Sequence, residues 1–112
     1  MAVPFKITEM GRSLTEATST ITGDTPTRAV FEGDDEGRDG VFVHNPEDID
    51  LWINLVNAGD AAEIEEADKL IVLSAGDSDI YMVSPDIDLI VMNASGDATE
   101  TSWVAKEIRV KV

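Results

Sequence analysis

The sequence predicts a mainly β protein, an antiparallel β-sandwich or small jelly-roll-like barrel with an extended N-terminal arm. Three observations predict it. From Gly40 onward, short runs rich in β-branched and aromatic residues alternate with clusters of Gly, Pro, Asn and Asp, at intervals of about ten residues. Within these runs apolar side chains recur at every second position, the period of a strand. The chain of 112 residues is 43% hydrophobic and 28% charged, which is apolar enough to fold and suits a single domain.

The segments follow in order. Residues 8–28 are rich in Thr and Ser, hold few large apolar side chains (Leu14, Ile21) and carry Gly11, Gly23 and Pro26 as punctuation. Residues 1–28 are therefore expected as an arm or edge segment, and 29–112 as the sandwich domain. Arg28 to Phe31 suits a short strand. Glu32 to Gly40 follows as a loop, with three glycines and five acids in nine residues. Val41-Phe42-Val43-His44 is a strand closed by Asn45-Pro46. In the run from Ile49 to Val56, Ile49, Leu51, Ile53 and Leu55 share one face, and Asp50, Trp52, Asn54 and Val56 share the other. Further strands are expected at Lys69–Ser74, Ile80–Val83, Ile87–Met92 and Trp103–Val112. In the last, Val104, Ile108, Val110 and Val112 face one way with Lys106, and Ala105, Glu107, Arg109 and Lys111 the other, so one face is expected to be wet. Residues 61–69 admit one short helix as readily as an edge strand, with Asp60 as cap and Glu63 three residues later.

Charge excludes several functions. Lys plus Arg is 8 and Asp plus Glu is 23, giving a net charge of −15. Neutralising phosphates takes clustered cations, so neither nucleic acid nor a bare anionic membrane is an expected partner. No apolar run approaches the ~20 residues of a membrane span or reads as a signal peptide, so the expectation is a protein made in the cytoplasm. The chain holds no cysteine, so thiolate chemistry is absent.

Catalysis finds little support in the residues. A nucleophile needs a base, and His44 is the single histidine, placed at a strand end and read as structural. A carboxylate pair of glycosidase type is not specific among 23 acids. The expectation is a protein that is not an enzyme and holds no cofactor. Calcium is the best chemical candidate, with Asp34, Asp35 and Asp39 as weak candidate ligands. That loop has Asp at the first and fifth positions of an EF-hand pattern and Gly at the sixth, but Gly37 stands at the third and Pro46 at the twelfth. A solvated charge run explains the same residues. A small calcium- or carbohydrate-binding β module is the alternative these residues leave open. Trp52, on the more polar face of its strand, is either packed under a second layer or an anchor for a partner.

From Val41 on, the residues resemble small structural proteins of tailed bacteriophages. Val41 to Pro46 leading into Ile49-Asp50-Leu51-Trp52-Ile53, the turn Leu70-Ile71-Val72-Leu73-Ser74-Ala75-Gly76-Asp77, the strand Ile80-Tyr81-Met82-Val83-Ser84 and the closing Trp103 to Ile108 carry the likeness. Ala75 stands where Pro is frequent in that turn. The resemblance covers about residues 40–112. It implies a virion component, a β-sandwich serving as a capsid decoration or cement protein, or alternatively a head-tail connector or tail component. It further implies contact with the major capsid protein or other virion proteins and a homo-oligomer, expected as a trimer. The contact residues expected are Phe5, Leu14, Ile21 and Trp52, with the arm adding a strand to a neighbour. Eight acids fall between Glu32 and Asp50, and three of the eight basic residues lie in the last seven positions, so the acidic loop and the basic terminus are expected at different ends of the molecule.

Overall fold

The computed structural model describes residues 6–8, 16–17, 20–31, 38–64 and 71–111. They form strands β1 (Lys6–Thr8), β2 (Glu16–Ala17), β3 (Thr27–Arg28), β4 (Gly40–His44), β5 (Leu51–Asn57), β6 (Ile71–Leu73), β7 (Ser78–Tyr81), β8 (Ile87–Asn93) and β9 (Val104–Lys111). One sheet has the order β1-β9-β4-β7, with β2 also on β9, and the other has the order β3-β8-β5-β6. β1 and β2 lie along the same edge of β9, Thr8 opposite Arg109 and Glu16 opposite Lys106, so they occupy one strand position with residues 9–15 inserted between.

The pairing is nested. β1 and β2 pair with β9, β3 with β8, β4 with β7 and β5 with β6, all antiparallel. The chain is thus one long hairpin whose two arms wrap around each other, and β4·β9 and β5·β8 pairs close the sheets. This is the winding of a jelly roll, which satisfies strand hydrogen bonds with short edges. The mainly β sandwich of the sequence stands.

Alternation builds the core. Val41 and Val43 of β4, Leu51 and Ile53 of β5, Leu73, Leu89, Val91, Trp103 and Ala105 pack between the sheets, most with no exposed surface. β9 reverses its expected faces. Trp103, Ala105 and Glu107 point inward and Ile108 points outward, yet Ile108 is also fully buried. The wet face predicted from Glu107 and Arg109 fails because Glu107 carries its charge inside as half of an ion pair with Arg38, 3.1 Å away. Residues 61–64 run as irregular chain, not as helix, and 65–70 lie outside the described residues. The carbonyl of Glu63 accepts from Asn54 Nδ2 at 3.0 Å, which ties this irregular stretch to β5.

Gly23 is where two chain crossings touch. A Cβ on it would fall 2.1 Å from Ser95 Oγ and 2.6 Å from both Asn93 Oδ1 and the Gly96 nitrogen. Gly23→Ala is expected to cost about 1–3 kcal/mol through forced displacement of the 95–97 turn. Urea unfolding checks it, and an unchanged midpoint would show that the turn gives way freely.

Candidate functional site

The sandwich has two ends. At the first, residues 20–26, 45–50, 74–77 and 94–102 are stitched together by main-chain bonds: Gly23 N–H to Asp97 O, Asn45 N–H to Asp77 O, Gly76 N–H to Asn45 O and Ala94 N–H to Asp50 O. Two asparagines with no exposed surface close this end. Asn45 Nδ2 donates to Ile49 O (2.8 Å) and Leu73 O (3.2 Å), and its Oδ1 accepts from Glu47 N–H. Asn93 Nδ2 donates to Ile21 O, Thr99 O and Thr101 Oγ1, and its Oδ1 accepts from Ser95 N–H. Asn45 reads in the sequence as a strand terminator, and a turn-forming Asn gives no sign that its amide will be sealed inside.

These loops hold Asp24, Glu47, Asp48, Asp50, Asp77, Asp97 and Glu100, and no Lys or Arg. Four of these carboxylates accept bonds within the turns: Asp24 from Thr22 and Thr25, Asp50 from Ala75 N–H, and Glu47 and Asp97 from Ser and Thr neighbours. Glu47 accepts from Ser102 N–H and Oγ–H, and these bonds hold its carboxyl below the usual range. Asp97 is lowered likewise by Thr99 first and Ser95 next. Among the described residues no three acidic or histidine side chains converge to hold a metal ion. Asp34 and Asp35 lie outside the described residues. Asp39 is exposed, and its N–H donates to Ile108 O at 3.0 Å.

That last bond corrects the expected charge layout. Arg38 and Asp39, the described residues where the acidic loop ends, sit against β9 beside Ile108, at the second end of the sandwich, next to the basic Arg109. Arg38 is the organiser there. It donates to the carbonyls of Val83 (3.2 Å), Ser84 (3.1 Å) and Ile87, pairs with Glu107 and lies 5.2 Å from the Phe31 ring centroid. Sequence reading missed it because one Arg in an acidic loop looks like a solvated charge.

The outward face of the β3-β8-β5-β6 sheet carries an apolar row. Trp52 is directly opposite Met92 on one side and Val72 on the other. Trp52 and Met92 are half-buried and Val72 is 54% exposed. Pro26 stands one residue before β3, whose Thr27 lies opposite Val91, the neighbour of Met92. The next row inward is different in kind: Asn54, a fully buried Ile90, and Arg28, which is ion-paired to Asp88. Of the other expected contact residues, Ile21 has no exposed surface and packs in this chain's own core, bridged to Thr101, while Phe5 and Leu14 lie outside the described residues.

His44 Nδ1 lies 2.8 Å from Ser78 Oγ, the residue directly opposite in register on β7, so the contact is a cross-strand pair. The one tyrosine, Tyr81, faces the core. Burial, and then the Asp79 carboxylate, push its hydroxyl up to about 12. The folded state therefore favours the neutral phenol, and this stabilisation, complete below pH 10, is lost as pH rises through 12. Absorbance at the phenolate band should stay flat to about pH 11 in native protein and rise near pH 10 in urea. Coincident titrations would refute the burial effect. No protein-family model matches the chain, and comparison with curated proteins and with solved structures finds no match.

Proposed function

We propose that the protein is a structural component of a bacteriophage virion, a capsid decoration or cement protein that stabilises the head by subunit contacts and is not an enzyme. In this reading it assembles as a homotrimer at a local symmetry axis, binds the major capsid protein and resides in the virion. The observation that carries the reading is the outward row of Trp52, Met92 and Val72, an aromatic anchor on a rigid sheet face. The resemblance of residues 40–112 to phage structural proteins supports it. The jelly-roll winding agrees, being frequent among viral capsid domains, though lectins and cupins share it and fold alone does not assign function.

The test is co-sedimentation with expanded empty capsids of the parent phage. Wild-type protein should pellet with the shells, and Trp52→Ala, which removes a central anchor worth about 2 kcal/mol or more, should bind roughly thirtyfold more weakly. Failure of the wild type to pellet sinks the decoration role. Electron microscopy of the particle separates it from a head-tail connector or tail component by where the density lies.

A further inference from the structure

The apolar row lies immediately beside the acidic end. Asp50, two residues before Trp52 and just ahead of β5, lies nearer that end, its carboxylate fixed by Ala75 N–H at 3.0 Å. Ala94 lies beside Asp50, its N–H on the Asp50 carbonyl. Beyond them Asp24, Asp48, Asp77, Asp97 and Glu100 are exposed in the loops, with no Lys or Arg among those residues to neutralise them. Val72, 54% exposed, leaves one flank of Trp52 open to contact. The geometry points to a docking surface for a cationic, amphipathic protein segment, in which an apolar side chain lies on Trp52, Val72 and Met92 and flanking Lys or Arg side chains meet the acidic loops.

Charge selects this occupant over others. A net charge of −15 with a one-signed rim repels phosphate backbones and anionic lipid. It equally repels a second copy presenting the same face, because an isologous contact would bring identical acidic loops together. A cationic segment gains attraction and also speeds its encounter, while the apolar row supplies the desolvated contact that holds it. The inference deepens the virion reading by giving the chemistry of the partner's contact segment, and it rests on that reading only for which protein carries the segment.

The probe is a short peptide of alternating Lys and Leu, followed through tryptophan fluorescence. Trp103 is 2% exposed, so the response reports Trp52. Binding should weaken at least about tenfold as salt rises from about 0.01 M to about 1 M, where the Debye length shrinks from about 30 Å to about 3 Å. A matched Glu-Leu peptide should not bind. Reversing the exposed Asp48 and Asp77 to Lys together should weaken binding about tenfold, while reversing Asp60 and Asp86 at the other end, an identical change in net charge, should alter it less than about twofold. Val72→Asp should abolish it. No binding, binding of the Glu-Leu peptide, equal losses from the two reversed pairs, or an unaffected Val72→Asp overturns the proposal. The capsid assay keeps the two ideas apart. If wild type pellets with shells and Asp48→Lys with Asp77→Lys pellets equally well, this surface is wrong and the virion role survives. If the peptide binds as described and no shell is bound, the virion role is wrong and the surface survives.

Discussion

Replacing Arg38 by Ala is expected to cost about 3–5 kcal/mol, enough to remove much of the stability of a domain this size. Arg38 is 8% exposed and Glu107 5%, so removing the cation leaves a carboxylate facing inward from β9 without its guanidinium. The loss also strips donors from the carbonyls of Val83, Ser84 and Ile87, which hold the β7–β8 connection against the sheet edge. For this reason Arg38→Met with Glu107→Leu should recover only part of the loss, although a simple buried pair is often replaced by apolar groups without cost. The more exposed Arg28–Asp88 pair supplies the scale. Arg28 and Asp88 have side chains 29% and 23% exposed, and Asp88→Ala should cost under about 1 kcal/mol. Urea midpoints of the three variants, read by tryptophan fluorescence, decide the matter. Equal small losses from Arg38→Ala and Asp88→Ala would show the inward pair to be energetically idle.

The same pair marks where sequence reasoning stops. Strand existence was legible because β5 writes its two faces in strict alternation, Leu51 and Ile53 inward and Trp52 and Asn54 outward. The turns were legible too, since Gly76 and Gly96 take φ of 80° and 77°, which side chains with a Cβ avoid. β9 misled because its inward face contains Glu107, and period-two patterning assigns a charge to water unless a buried partner is known. Arg38 lies 69 positions away, across a contact that only the wound hairpin creates. The winding itself was not legible: pairing β3 with β8 and β4 with β9 depends on long-range packing that leaves no local signature. Trp52 was legible as an outward aromatic. Its acidic surroundings were not, because Asp24, Asp50, Asp77 and Asp97 come from four separate loops and meet only when the first end closes.

That closure depends on Asn93, and its replacement should rank beside loss of Arg38. The amide donates from Nδ2 to Ile21 O (3.1 Å), Thr99 O (2.9 Å) and Thr101 Oγ1 (3.1 Å), and its own N–H reaches Thr22 O. Asn93→Ala leaves these acceptors facing a space without donors, and each buried unsatisfied group costs about 1–3 kcal/mol, so a total near 3 kcal/mol is expected. Asn93→Asp tests the cause more sharply because shape is kept. Its carboxylate can still accept from Ser95 N–H, but it would face three oxygens and be desolvated, so its folded pKa must rise above the unfolded value of about 3.9. Stability of this variant relative to wild type should therefore be nearest normal below about pH 4 and fall as pH rises through the raised pKa. The wild type runs the opposite way in acid, since the lowered carboxyls of Glu47 and Asp97 stabilise above their unfolded pKa and lose that contribution as pH falls. The informative quantity is thus the difference between the two proteins at each pH, taken from urea midpoints. A difference that does not change with pH would mean that residue 93 is hydrated in the folded state, and the sealed first end would be wrong.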